Sequence, residues 1–158
     1  MSNFVWNTQL NHKLAKEIKK KYPKCKVIFG GLGNPNKNRL DNFLEENDYI
    51  DIVVNGEGEL TFEHILIESL KDEPNYKNVE GISTKDFITN DRQRIKDIDS
   101  MPSPYLDGLF DKLTLSSDET FEAPIESVRG CPYQCTFCEI GDKYFQKIVR
   151  QSNKKVFA

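Results

Sequence analysis

No stretch of the sequence approaches the roughly 20 consecutive apolar residues that crossing a bilayer requires, and the opening Met1-Ser2-Asn3-Phe4 has neither the basic nor the apolar part of a secretory leader. A membrane partner is therefore not expected, and the expected address is cytoplasmic. Charge of one sign is missing too: 22 Lys and Arg stand against 25 Asp and Glu, for a net charge of -3, with both signs scattered along the chain. With no basic face to hold a phosphate backbone, nucleic acid is not an expected partner. Histidine is scarce, with only His12 and His64, and Trp6 is the single tryptophan. There is no internal repeat and no low-complexity tract. Four cysteines are too unevenly placed for a disulfide framework: three fall within positions 131–138, and Cys25 stands alone in an apolar, strand-like stretch.

What is present is periodicity, in a chain of 158 residues that suffices for one domain, or for a small domain plus part of another. Leu10, Leu14, Ala15 and Ile18 recur at helical intervals, with lysines on the opposite side and Pro23 just beyond, which predicts an amphipathic helix resting on those four. Lys26-Val27-Ile28-Phe29 stops at Gly30-Gly31, with Gly33-Asn34-Pro35 extending the break, and reads as a buried strand entering a glycine loop. The cycle repeats, with Leu40, Phe43 and Leu44 on a short helix and Ile50-Asp51-Ile52-Val53-Val54 as a strand running into Gly56-Glu57-Gly58-Glu59. A third helix carries Phe62, Ile65, Leu66 and Leu70 on one side, and Val79-Glu80-Gly81-Ile82 reads as another short strand. Strands alternating with helices predict a parallel sheet. The expected unit, over residues 8–84, has three layers, helices on both faces, and both glycine loops at one edge.

From 85 to 122 the pattern dissolves into polar residues, with Pro102 and Pro104 framing a tight segment that ends in Leu106, Leu109 and Phe110. This predicts a linker with one short docking element. Ile125-Glu126-Ser127-Val128 then alternates as a strand does, and Arg129-Gly130 leads directly into the cysteines.

Cys131, Cys135 and Cys138 have CxxxCxxC spacing. Three soft thiolates on one loop suit an iron–sulfur cluster, and a cubane held by three of them keeps one iron open to a ligand from outside the protein. A structural zinc would need a fourth ligand. His12 and His64 lie far upstream, and Cys25 belongs to what reads as another domain. A redox pair of Cys135 and Cys138 would leave Cys131 without a role.

The cysteine triplet, with Phe137 just before its last member, resembles the signature of radical S-adenosylmethionine (SAM) enzymes. The resemblance implies that Cys131, Cys135 and Cys138 ligate a [4Fe-4S] cluster, that SAM chelates the open iron, and that Phe137 packs near the adenine end of SAM. Reduction of such a cluster cleaves SAM to methionine and a 5'-deoxyadenosyl radical. Val128-Arg129-Gly130-Cys131-Pro132-Tyr133, Pro102-Ser103-Pro104-Tyr105, Val5-Trp6-Asn7, Gly30-Gly31 and Gly56-Glu57-Gly58-Glu59 resemble, as an ordered set, the members that carry an N-terminal B12-binding domain. On this resemblance residues 1–84 are part of a cobalamin-binding domain of Rossmann-like parallel-sheet type, 85–122 a linker, and 123–158 the first strand and cluster loop of a partial TIM barrel.

Cobalamin is then expected at Gly30, Gly31, Gly56 and Gly58. Ligands of open parallel sheets dock outside the carboxyl ends of the strands, where glycine lets backbone approach closely. A plain tight turn explains paired glycines equally well. Glu57 and Glu59 either contact the cofactor or occupy a solvated turn and the first turn of a helix, and Trp6 either lines the cofactor or packs in the core, with the core expected. On this resemblance an extra strand and helix are expected before the point matching Ser2, and nothing in the sequence matches the DxHxxG loop that supplies a cobalt-ligating histidine in some B12-binding folds. His12 and His64 are expected to be ordinary helix residues. The sequence runs 20 residues past Cys138, so only one barrel strand is expected in it, and catalysis by this chain alone is not expected. The alternative is a non-catalytic cobalamin- or metal-binding module, holding zinc or iron–sulfur, that needs a second chain to complete the barrel.

Overall fold

The side chains of Ile28 and Phe29 turn to opposite faces of a small sheet, and apolar residues cover both. The computed structural model describes residues 1–35, 37–111, 122, 124–133, 135–138 and 147–157. The rest of the expected linker at 112–121, position 123, Gln134 inside the cysteine motif, and the stretch 139–146 after it lie outside the described residues. The chain divides into two compact units, Met1–Arg94 and Ile95–Ala158.

In the first unit α1 (Thr8–Lys21) is followed by β1 (Ile28–Phe29), α2 (Leu40–Glu46), β2 (Ile52–Val54), α3 (Glu59–Ser69) and β3 (Ile82–Ser83). β1 and β2 are parallel, with Ile28 opposite Ile52 and Phe29 opposite Val53. Phe29 and Val53 pack with Ala15, Leu40 and Leu44 of α1 and α2. Ile52 and Val54 pack with Ile65 of α3 and with Ile82. Helices therefore cover both faces, as the periodicity predicts. The start of β2 is tied to β1 by Asp51, whose carboxylate accepts from the Val27 N–H at 2.6 Å and meets Lys19 Nζ at 2.8 Å.

The expected all-parallel sheet is corrected by β3, which runs antiparallel to β2, with Val54 opposite Ile82. After α3 the chain spends residues 70–81 returning to the carboxyl end of β2, where Asn55 N donates to Gly81 O at 2.8 Å. Gly81, at φ 80°, turns the strand back down, and Thr84 and Phe87 close a tight turn so that Ile88 pairs with Ser83. The polar residues up to Arg94 thus belong to the first compact unit.

Two helix faces also differ from expectation. On α1 the inward row is Asn11, Ala15 and Ile18, while Leu10 and Leu14 are exposed. The rotation follows from Asn11, whose Nδ2 donates to Ser2 O at 2.9 Å and to Asn3 Oδ1 at 3.3 Å, stitching the N-terminal residues to the helix. On α3 the inward residues are Thr61, Ile65 and Glu68, leaving Phe62, Leu66 and Leu70 exposed. Here Glu68 accepts from Asn75 N at 2.7 Å and from Lys71 Nζ at 2.6 Å, and Thr61 accepts from Arg92, so polar anchors set the rotation.

In the second unit, residues 104–110 form successive turns with the Tyr105 and Phe110 rings 5.3 Å apart. β4 (Val128–Arg129) pairs antiparallel with β5 (Val149–Arg150), and α4 (Asn153–Val156) follows with Ser152 as its cap. Among the described residues β4 has no parallel partner of the kind a barrel requires. Asp99 accepts from Ser152 N at 2.9 Å, and Lys155 Nζ donates to the carbonyls of Asp99 and Met101, fixing α4 to residues 99–101. These bonds to Ser152 hold the Asp99 carboxyl below its ordinary range.

Candidate functional site

Because β1 and β2 are parallel, Gly30-Gly31 and Gly56-Glu57-Gly58 leave the sheet at the same edge. A third segment joins them there. Residues 1–3 lie parallel to β1, with Gly30 N donating to Met1 O at 3.0 Å and Asn3 N to Gly30 O at 2.6 Å. The chain therefore emerges beside the glycines at Phe4, Val5 and Trp6. Trp6 is 78% exposed and stacked on Phe4, with centroids 4.8 Å apart and planes 3° from parallel. This corrects the expected core position: with the sheet already lined by isoleucine, valine and phenylalanine, Trp6 sits in the turn that leads into α1.

The four glycines are not equivalent. Gly31 has φ 90°, and a Cβ there would lie 2.7 Å from Asn3 O, so its lack of a side chain serves passage of the N-terminal segment. Gly33 is constrained by the same segment, at 2.8 Å. At Gly30 a Cβ would make ordinary contact with Val54. Gly56 has φ 76° and is exposed, and a Cβ at Gly58 would meet nothing within 4 Å. Gly58 is thus the member with open space around its backbone, and Gly56 is exposed beside it. Glu57, between them, is buried and paired with Arg94 at 3.0 Å. Glu59 is exposed at the first turn of α3.

Both histidines meet other side chains through Nδ1. His12 Nδ1 lies 2.6 Å from the Tyr49 hydroxyl, and burial, followed by the nearby Lys16 charge, pushes its pKa below 6.5. His64 Nδ1 lies 2.9 Å from Arg92 Nη2.

The cysteine loop is in the second unit. Arg129, on the strand leading into it, grips Glu126 through Nε and Nη2 at 3.0 and 2.6 Å, and Gly130, at φ 105°, turns the chain. Cys131 is partly exposed, Cys135 and Cys138 are exposed, and all three are free thiols. Cys138 N donates to Cys135 O at 3.0 Å, a turn that puts both on one bend. Phe137 is 90% exposed. Among the described residues no three metal-ligating side chains are gathered to hold an ion, so the fit to a cluster rests on the donor set. Three uncrosslinked, accessible soft sulfurs on one loop suit iron–sulfur ligation. Cys25 is not in a strand as expected; it is exposed at the bend after α1, where its N–H donates to Tyr22 O.

Arg94 was not visible as a site residue in the sequence, since nothing in a polar stretch marks a partner 37 positions away. The stitching by Asn3, Asn7 and Asn11 did leave a signal in its four-residue spacing. Among the described residues no helix is long and apolar enough to cross a membrane.

The chain is of the α/β class, with glycine turns at the carboxyl edge of its parallel strands, followed in sequence by a strand running into three cysteines. No protein-family model matches the chain. It is 37% identical over 148 residues to the cobalamin-dependent radical SAM methyltransferase TokK of Streptomyces tokunonensis, covering 89% of this chain and 21% of that protein. It is 36% identical over 148 residues to the 2-(S-pantetheinyl)-carbapenam-3-carboxylate methyltransferase of Streptantibioticus cattleyicolor, with the same coverage of 89% and 21%. An uncharacterized methyltransferase of Pyrococcus horikoshii is 33% identical over 132 residues, covering 80% of this chain and 27% of that one. The chain belongs to the radical SAM proteins that carry a B12-binding domain, and it spans about a fifth of the length of the first two relatives.

Proposed function

We propose that this chain supplies the cofactor-binding front end of a cobalamin-dependent radical SAM methyltransferase. Residues 1–84 form the cobalamin-binding part, and residues 123–158 begin the radical SAM barrel. The observation that carries the reading is the set of three free, accessible thiols of Cys131, Cys135 and Cys138 on a loop opened by Gly130. These thiolates would hold a [4Fe-4S] cluster, with Phe137 offering an apolar face beside it for SAM. When bound, the cluster and cobalamin supply the radical and methyl-carrying chemistry that the protein alone lacks.

The chain's own share is placement. The open backbone at Gly58 and the exposed Gly56 beside it suit the approach of a flat ligand, and the stacked rings of Phe4 and Trp6 add an exposed apolar surface at the same edge. On this reading cobalt is assigned no histidine from this chain; His12 and His64 meet Tyr49 and Arg92 through Nδ1.

Anaerobic reconstitution with iron and sulfide tests the reading. A brown protein with about four iron and four sulfide per chain is expected, as that cluster type requires. Replacing Cys131, Cys135 or Cys138 by Ala should abolish it, while Cys25→Ala should not. Added SAM should alter the EPR spectrum of the reduced cluster. Stoichiometric zinc without iron uptake would instead favour the metal-binding module.

A further inference from the structure

Residues 90–94 form a strap along the glycine edge of the first unit. Gly81 N donates to Asn90 O at 2.7 Å. Two residues on, Arg92 Nε donates to Thr61 Oγ1 at 2.9 Å, and two further on Arg94 Nε meets Glu57 Oε1 at 3.0 Å. Alternate residues thus engage first α3 and then the turn in front of it.

Glu57 is the unusual member of that turn. It stands between two glycines at the end of a strand, yet its side chain is only 6% exposed and that of Arg94 13%. A carboxylate in such a turn ordinarily faces water, because withdrawing it costs more than it returns unless a cation meets it inside. Here the cation comes from the strap.

We propose that Arg94 is a positioning residue for the ligand edge. By holding Glu57 inward, it keeps a negative charge off the edge and leaves the Gly56 and Gly58 backbone as the exposed surface. This rests on the reading of the edge as the cobalamin site. The nucleotide tail of that cofactor carries a phosphate, which an outward Glu57 would repel, and the corrin ring needs the flat approach that two glycines permit.

The test uses the full chain titrated with hydroxocobalamin, with hydrogen exchange of residues 55–59 measured without ligand. Arg94→Met should weaken binding about tenfold or more, the scale typical of outer-shell supports, and should speed exchange at 55–59 while leaving β1 and β2 unchanged. Adding Glu57→Gln to that variant should restore most of the affinity while exchange stays fast, a split that a merely structural role would not produce. Unchanged affinity and exchange in Arg94→Met overturn the proposal, as does a double variant that binds no better than Arg94→Met alone. If Arg94→Met does not fold, Glu57→Gln decides: binding as tight as the parent supports the proposal, and a tenfold loss overturns it. If the parent chain itself fails to bind, the cobalamin reading of the edge falls, and fast exchange in Arg94→Met would still support the tether.

Discussion

His12 sits among three aromatic edges, Phe29, Phe43 and Tyr49, at centroid distances of 5.1, 5.7 and 5.8 Å. Burial first, and Lys16 second, push its pKa below 6.5, so the folded chain holds this imidazole neutral where the unfolded chain protonates it. The unfolded state then binds more protons, and stability falls as pH drops below the unfolded value of about 6.5. The urea midpoint should decline from pH 7 to pH 5.5, and His12→Phe, which keeps an aromatic in the cluster, should flatten that part of the slope. The sequence shows His12 as a helix residue, but not the ring of aromatics around it, because Phe29, Phe43 and Tyr49 come from three other segments. Trp6 was legible as part of the Val5-Trp6-Asn7 motif but not as an exposed residue. Its exposure depends on the parallel pairing of residues 1–3 with β1, which periodicity over so few residues does not register.

Among the elements, the glycine loops separate structural need from open space. Gly31→Ala combines a strained φ of 90° with a Cβ 2.7 Å from Asn3 O, and should destabilise the chain by about 2 kcal/mol or more in denaturant unfolding. Gly58→Ala meets nothing within 4 Å and has the right-handed helical φ of -89°. Its stability should be unchanged, or raised by up to about 1 kcal/mol. Because only a ligand would touch the added methyl, hydroxocobalamin affinity should fall. The helix–strand alternation of α1, β1, α2 and β2 was readable from period alone, since each has a buried partner on a sheet face. The direction of β3 was not, because it depends on how residues 70–81 travel back to the carboxyl edge, and a polar stretch carries no period to say so. The rotations of α1 and α3 were hidden for a related reason: Asn11, Thr61 and Glu68, all polar, hold the inward positions.

Among the described residues the two units show different numbers of buried apolar side chains. Among the described residues of the second, only Ile95 and Ile98 are buried apolar side chains, against thirteen in the first. Metal-ligating folds gain much of their order from what they bind. Cluster reconstitution should therefore raise hydrogen-exchange protection at 124–133 and 147–157, with little change at β1 and β2. The first unit has a different dependence. Its central strands are apolar on both faces, so sliding β2 by one residue against β1 would exchange its two faces without showing oil to water, and hydrophobic contrast cannot choose the alignment. The choice falls to shape, with Phe29 on the α1 and α2 side, and to Asp51, whose carboxylate receives the Val27 N–H and the Lys19 ammonium together. That one rim carboxylate serves as the index mark of the sheet, and the core beneath it can exchange one aliphatic residue for another of like volume while the strands keep their place.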